Sequence, residues 1–448
     1  YVCVNDLRTN WFLCSNGVRQ GDNLSPTLFS LFINDLASEI SQLNVGIPIG
    51  DEKIGLLLYA DDIAILSENE LEMQRCLDIL TDWCMRWRLN VNCAKSNIMH
   101  FRKRNIPRSK FNFRIGNEEL QYVNQYRYLG VIFHEKMDFN TAAEVLGKSG
   151  GRALGAMISK IHNYKDVGFN TYEKLFHSCV VPILDYCSGV WGFKTYHSIE
   201  IVQNRAIRYF LGLHRYAPAI TLNSEVGWLA PTQRRWICML KRWNRVIQMD
   251  DDRLTKKVFL WSYRNNSTWC SQVKEILYKL DLCSYFDFIR ICDINEVKSK
   301  LFKYYEDEWK SKTRSLPKLR TYVTFKQNVQ LEPYVTMNIT KQERSLMAQF
   351  RCGILPLRVE TGRYRNEPLQ ERYCVLCKSN SIEDEKHFIF QCKFYENNRI
   401  SFFHSINLDK NLDETVNLNI IMEKNQRQTA KYLNLIYSVR QSYLYKSK

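Results

Sequence analysis

Residues 54–67 read I-G-L-L-L-Y-A-D-D-I-A-I-L-S, and no other stretch constrains this chain as strongly. Ile54–Tyr59 and Ile63–Leu66 are apolar runs of strand length, so the segment is expected to fold as a hairpin with Asp61 and Asp62 at its tip. Two adjacent carboxylates walled by leucine and isoleucine repel each other and are costly to desolvate unless water or a cation compensates them. A hard divalent cation such as Mg²⁺ does this well, because it binds through one or two carboxylates and leaves its other positions to water and phosphate. A plain acidic turn is the competing reading of the same residues.

Upstream, residues 14–40 read C-S-N-G-V-R-Q-G-D-N-L-S-P-T-L-F-S-L-F-I-N-D-L-A-S-E-I. Gly21 permits a sharp turn after Arg19 and Gln20, Ser25 suits an N-cap, and Pro26 suits the first helical position. Leu28, Phe32, Leu36 and Ile40, with Phe29 and Ile33 beside them, make one apolar face. A helix packed on that face presents the Arg19-Gln20-Gly21 turn at its N-terminus, an end that favours phosphate or base contacts.

In their order and spacing, G-V-R-Q-G-D-N-L-S-P and Y-A-D-D resemble the palm of a reverse transcriptase of the non-LTR (LINE-like) retrotransposon type. Residues 89–96 (L-N-V-N-C-A-K-S) resemble the next palm motif, with Lys95 as its lysine, and residues 126–133 (Y-R-Y-L-G-V-I-F) resemble the primer-grip strand. The resemblance implies that Asp61 is the principal ligand of catalytic Mg²⁺, or of Mn²⁺ in its place, with Asp62 beside it. It also implies that Arg19, Gln20 and Gly21 face the incoming nucleotide and template. Lys95 would lie near the triphosphate, and Tyr128, Leu129 and Gly130 near the primer end. The implied partners are an RNA template, a DNA primer or target, and deoxynucleoside triphosphates.

One departure stands against these matches. The family's palm uses a third carboxylate several dozen residues before the R-Q-G turn, whereas only eighteen residues precede Arg19 here, and Asp6 is too close to the turn. Two-metal phosphoryl transfer needs shared ligands that hold the ions about 3.5–4 Å apart. The expectation is therefore part of a polymerase that does not work by itself. The alternative is a relic or repurposed chain that binds RNA or DNA without polymerising.

Composition sets the outer bounds. The 448 residues, 45% hydrophobic and 13% aromatic, suffice for several cored domains and exclude a disordered chain. A formal net charge of +16 points to a polyanionic partner. The fifteen cysteines fall mostly one at a time in apolar contexts, Cys76, Cys84 and Cys238 among them, which suits buried thiols in a reducing compartment. Neither an apolar run of membrane-spanning length nor a secretory leader is evident, so an intracellular location, nucleus or cytoplasm, is expected.

The expected fold class is α+β. It comprises a partial palm over residues 1–134, an antiparallel sheet with packed helices, then a thumb-like helical region over 135–195, placed by the resemblance. A basic α-helical region (196–355), a small zinc module (356–400) and a helical basic tail (401–448) follow. Within the palm, strands at V-C-V and W-F-L should pair as a hairpin, a helix should span 70–87, and Gly116-Asn117 should turn another hairpin. Arg102-Lys103-Arg104 is a short basic cluster. Gly150-Gly151 should break or kink any helix over 141–163. Between 201 and 249, Arg205, Arg208, Arg234, Arg235 and Arg245 alternate with Tyr209, Trp228, Trp236 and Trp243. This pattern suits a nucleic-acid surface, and equally buried rings with solvated arginines.

Residues 373–399 carry Cys374 and Cys377, then His387 after nine residues and Cys392 after four more. Four soft ligands in a closed set argue for structural Zn²⁺ with no open position for catalysis. With few residues around it, the metal is expected to supply much of the module's folding energy. A comparable Cys-Cys-His-Cys module occurs near the C-terminus of many LINE-like polymerases.

Overall fold

The computed structural model describes the chain apart from residues 1, 2, 6, 14–16, 20, 165, 410, 447 and 448. It is a mixed α+β structure that divides into two compact units. The first comprises Tyr1–Asp138 with Asp251–Asn265, the second Phe139–Asp250 with Asn266–Lys448. Residues 251–265 therefore group with the N-terminal unit, although by sequence they sit inside the basic helical region.

The first unit opens with β1 (Cys3–Val4) and β2 (Leu7–Arg8), a ribbon that turns tightly at Asn5, whose φ is +46°. The expected second strand at W-F-L is absent, because the turn closes after two residues and leaves Trp11, Phe12 and Leu13 beyond the pairing register, exposed. Helix α1 (Ser25–Gln42) starts where Pro26 predicts. Ser25 does not cap it; its hydroxyl donates to the Arg19 carbonyl at 2.6 Å and so ties the preceding turn to the helix. The buried face of α1 is Ile33, Leu36 and Ile40 with Phe29 and Phe32, while Leu28, expected inside, is exposed.

Two further ribbons follow. β3 (Ile47–Ile49) pairs with β4 (Glu52–Ile54), and β5 (Leu56–Tyr59) pairs with β6 (Asp62–Ile65). Helix α2 (Glu70–Trp87) has the expected limits, capped by the Asn69 side chain, which accepts from the Glu72 N–H at 2.9 Å. Leu80, Trp83 and Cys84 of α2 pack on α1 beneath Leu56, Leu58, Ile63 and Ile65. Asp35 of α1 fastens the pair, accepting from Trp83 Nε1 at 3.0 Å and Trp87 Nε1 at 3.1 Å, so both indoles are structural.

Six more strands follow in the unit: β7 (Asn97–Ile98), β8 (Arg114–Ile115), β9 (Glu118–Glu119), β10 (Gln121–Tyr122), β11 (Gln125–Tyr128) and β12 (Val131–His134). β8 and β9 pair across Gly116-Asn117 as expected, β7 runs parallel to β10, and β11 pairs with β12. All ladders of the described residues are two-stranded, so the continuous antiparallel sheet expected of the palm is not formed. Strands of two to four residues offer few groups for a third neighbour, and α1 and α2 cover the apolar faces instead.

The second unit is helical around a large apolar core, with Leu240, Trp243, Val273, Ile276 and Leu301 buried outside it. α3 (Asn140–His162) runs unbroken through Gly150-Gly151, contrary to expectation. The reason is packing. α4 (Phe169–Cys179), α5 (Val181–Leu184), α6 (Ser188–Trp191) and α7 (His197–Leu211) follow, and α7 and α5 approach α3 so closely that side chains are excluded. A Cβ on Gly147 would lie 2.8 Å from the Ser198 carbonyl oxygen, and one on Gly150 would meet Leu184 Cδ2. Beyond them α8 (Ala219–Val226) and α9 (Pro231–Ile247) bring the basic, aromatic-rich stretch into the interior.

That stretch is mainly a core rather than a binding face. Trp228, Trp236 and Trp243 are buried, and their indole N–H groups donate to Glu173, to the Phe193 carbonyl and to the Arg290 carbonyl. Arg235 is fully buried between the Trp191 and Tyr196 rings, and Arg234 pairs with Asp185. Arg205, Arg215, Lys241 and Arg245 remain exposed. Within residues 315–327, Leu319, Tyr322 and Phe325 are buried, while Ser315, Pro317, Arg320 and Gln327 are exposed. Among the described residues no helix is long and apolar enough to cross a membrane.

A buried ionic network joins distant parts of this unit. Glu225, at the end of α8, accepts from Arg351 Nε at 2.8 Å, from the Tyr334 hydroxyl at 2.7 Å and from the Tyr322 hydroxyl at 3.0 Å. Arg351 also reaches Glu332 at 2.9 Å, which pairs in turn with Lys326. Removing one member strands the others, so Glu225→Gln is expected to cost about 3–5 kcal/mol in urea unfolding followed by helical circular dichroism. A loss under 1 kcal/mol would mean the network is dispensable.

The glycine packing gives a second test. Gly155 of the same helix has open space where a Cβ would sit. Gly155→Ala is expected to stabilise by about 0.5–1 kcal/mol through helix propensity, whereas Gly147→Ala, with the same propensity gain, is expected to destabilise by about 1–3 kcal/mol. Equal midpoint shifts in urea would refute the close-packing account.

Candidate functional site

The paired acids sit where the sequence placed them. Tyr59 and Asp62 pair across the hairpin, with Ala60 and Asp61 forming the turn. Ala60 takes φ +51°, a left-handed conformation uncommon for a residue with a Cβ, so the tip is held against a local preference. Both carboxylates are exposed, and neither forms an ion pair with another described residue. No third Asp, Glu, His or Cys among the described residues joins them in a group able to hold an ion.

The β11–β12 hairpin lies within electrostatic reach of this tip. Burial, and then the negative charge of Asp62, push the Tyr128 phenol up from its ordinary range. Leu129 and Gly130 form the two-residue turn that follows, with φ +47° and +80°, the positive pair that matches strand twist in a tight hairpin. Lys95 is exposed, and its carbonyl accepts from the Tyr126 hydroxyl at 3.3 Å, which fastens the Lys95 segment to β11. Arg19 and Gly21 are exposed in the turn before α1, with Gly21 at φ +87°, and Gln20 lies outside the described residues. Among the described residues neither Arg19 nor Lys95 forms an ion pair with either carboxylate; Asp62 acts on Tyr128 through its charge, and a hydrogen bond ties Lys95 to Tyr126.

The second unit carries the other candidate. The ligand atoms of Cys374, Cys377, His387 and Cys392 all lie within 4.8 Å of one another. The Cys374 and Cys392 sulfurs are 3.9 Å apart, and Cys377 Sγ is 3.4 Å from His387 Nε2. A tetrahedral ion with bonds of about 2.3 Å to sulfur and 2.0 Å to nitrogen needs edges of roughly 3.5–3.8 Å, which these separations match. Two local features make the arrangement. The Cys374 N–H donates to the Ser381 carbonyl at 2.9 Å, which closes the loop bearing Cys374 and Cys377. The Cys392 N–H donates to the His387 carbonyl at 2.9 Å, a wide turn that brings those two ligands side by side.

Without metal the set shares protons. The hydrogen bond from Cys392 holds the Cys374 thiol down to about 3, and the Cys392 thiol is correspondingly raised. Hydrogen bonding to Cys374 lifts His387 to about 9. Sequence reasoning missed the residues behind the cluster: Glu383 lies 3.9 Å from Cys374 Sγ and pairs with Arg440 at 2.8 Å. Arg440 falls in the helical basic tail, and no local signal links it to a residue 57 positions away. The cluster is also not a free-standing module. Cys374, Phe388, Ile389, Cys392 and Tyr395 belong to the main core of the second unit, so packing shares the folding energy that the isolated motif would draw from metal.

With both sites described, comparison with known proteins assigns the first unit. Residues 2–133 match the family model for reverse transcriptase (RNA-dependent DNA polymerase). The relatives that the chain matches are RNA-directed DNA polymerases of non-LTR retrotransposons. The chain is 26% identical over 220 residues to the "Probable RNA-directed DNA polymerase from transposon BS" of Drosophila melanogaster, covering 47% of this chain and 24% of that protein. It is 26% identical over 224 residues to the "RNA-directed DNA polymerase from mobile element jockey" of Drosophila funebris, covering 48% and 24%. The "Retrovirus-related Pol polyprotein from type-1 retrotransposable element R2" of Popillia japonica is 29% identical over 139 residues, covering 30% and 23%. The chain thus spans about a quarter of the length of these relatives.

Because the donor set must lose protons to bind an ion, uptake should release protons and weaken as pH falls. Co²⁺ titration at neutral pH is expected to produce thiolate-to-metal charge-transfer absorption, reduced in Cys392→Ser; its absence from the unsubstituted chain would exclude the site.

Proposed function

We propose that this chain contributes the paired-acid part of the catalytic centre of an RNA-directed DNA polymerase, acting on an RNA template, a DNA primer and deoxynucleoside triphosphates. The observation that carries the reading is the solvent-facing Asp61–Asp62 tip beside Tyr128, inside the residues that match the reverse transcriptase family. The carboxylates fit a hard cation: they are oxygen donors, exposed and without competing ion pairs among the described residues. Bound there, Mg²⁺ or Mn²⁺ would supply charge stabilisation for the attacking and leaving oxygens of nucleotidyl transfer.

The chain's own residues take the remaining roles in this proposal. Asp61 and Asp62 hold the ion, and the Arg19–Gly21 turn faces the nucleotide and template. Lys95 offers its exposed charge to the triphosphate, and Tyr128, Leu129 and Gly130 position the primer end. Tyr128 remains a neutral phenol beside Asp62 at physiological pH, because its shift is upward. In the second unit the closed set of three sulfurs and one nitrogen suits structural Zn²⁺, since no ligand position is left for substrate.

Two carboxylates are fewer than two-metal transfer requires, and the described residues supply no third beside them. By itself, therefore, the chain is expected to bind nucleic acid without extending it, which is also what a non-catalytic binding protein would do. Primer extension on an RNA template with Mg²⁺ separates the readings. Joined to the preceding palm segment of a related polymerase, the chain is expected to incorporate nucleotides, with a loss of at least about 10³-fold in Asp61→Ala. Binding without incorporation even then supports the non-catalytic reading, and incorporation unaffected by Asp61→Ala sinks the assignment of the paired acids.

A further inference from the structure

Residues 83–117 contain no aspartate or glutamate, yet carry Arg86, Arg88 and Lys95 and then six more cations between 102 and 114. A stretch this one-sided repels itself unless something negative answers it. The fold answers only part of it. Glu135, which directly follows β12 and is 5% exposed, pairs with Arg102 at 2.9 Å and with Arg108 at 2.6 Å. Of the five cations between 102 and 110, Arg102 and Arg108 are ion-paired, both to Glu135, and a second acid, Glu70, lies against Ser109 at the base of the segment.

The segment is a closed loop with fixed geometry. The Ser109 N–H donates to His100 Nδ1 at 3.2 Å across its base. Arg102 N–H donates to the Glu135 carbonyl at 2.9 Å, and Arg102 Nη1 donates to the Ile106 carbonyl at 2.7 Å. The Ile106 N–H donates to the Lys103 carbonyl at 3.1 Å, and Pro107 stiffens the return. The two inner arginines are spent on Glu135, and Lys103, Arg104 and Lys110 are left exposed. Cations displayed on an ordered backbone bind a polyanion with less loss of freedom than cations on a loose one.

We propose that residues 102–110 form a phosphodiester-binding loop that grips the backbone of a nucleic-acid duplex through Lys103, Arg104 and Lys110. Glu135 acts as the positioning residue that anchors the loop to the end of the β11–β12 hairpin. This rests on the nucleic-acid-binding part of the function proposed above, and adds to it where the backbone is held. The anchor is at the open end of the β11–β12 hairpin, and Tyr128 is at its turn.

The test is the salt dependence of binding by the full chain to a fluorescein-labelled DNA duplex, read by anisotropy. Each phosphate contact contributes about 0.9 to the slope of log affinity against log salt, so K103Q/R104Q/K110Q should lower the slope by about two to three and weaken binding about tenfold or more at low salt. The control K241Q/R245Q/K298Q removes three exposed cations from the second unit and should leave the slope within about half a unit of the unsubstituted chain. An unmoved slope in the loop variant, or an equal loss in the control, overturns the proposal alone. Failure of the unsubstituted chain to bind the duplex overturns both the loop and the reading on which it rests.

Discussion

Arg351 is the residue on which the second unit closes. It is completely enclosed, held by Glu225 and Glu332, and flanked by the Phe325 and Tyr334 rings. Burial alone would raise the Glu225 carboxyl, but Arg351 and Lys326 outweigh it and hold the group below its usual range. Two acids and two bases balance without water, and the Tyr322 and Tyr334 hydroxyls and Gln426 take the remaining lone pairs. Such a network is a poor source of net stability compared with apolar packing, yet it penalises every arrangement in which its members do not meet. Segments around residues 225, 326–334, 351 and 426 must therefore arrive together. The Cys-His cluster belongs to the same core, so its spacing is set in part by this closure.

The two candidate metal sites differ in the way their chemistry requires. Asp61 and Asp62 stand at an exposed tip, where water and a substrate's phosphates can complete the coordination of a hard ion. Cys374, His387 and Cys392 are buried, their donor set is complete, and neighbouring backbone groups fix it. One arrangement is open to exchange and suits turnover; the other is closed and suits structure.

Net charge illustrates how far composition reaches. The excess of 16 positive charges calls for a polyanion without saying where it binds. The richest mixture of arginine and tryptophan, in α9 and its surroundings, turns inward: Arg234 and Arg235 are enclosed by Asp185, Thr232 and carbonyl oxygens. The interval with no acid at all, residues 83–117, keeps part of its charge at the surface, because Glu39 pairs with Arg86 and Glu135 with Arg102 and Arg108 while Lys103, Arg104 and Lys110 stay exposed. The absence of acids is a better local indicator here than the abundance of bases.

Local pattern by itself determined the Asp-Asp hairpin, the limits of α2, the turn at Gly116-Asn117 and the four soft ligands between 374 and 392. In each, the signal lies within one turn or one element: alternation, helical period, a cap at Asn69, or ligand spacing. Only the tertiary structure decided that α3 survives its paired glycines, that Leu28 faces outward, that the strands remain separate ribbons, and that Arg440 stands behind Cys374. Those outcomes depend on what approaches from elsewhere in the chain: the Ser198 carbonyl against Gly147, Leu184 against Gly150, Glu383 against Arg440. A sequence window records which residues are able to be buried, whereas the contacts that choose among them are made between residues tens of positions apart.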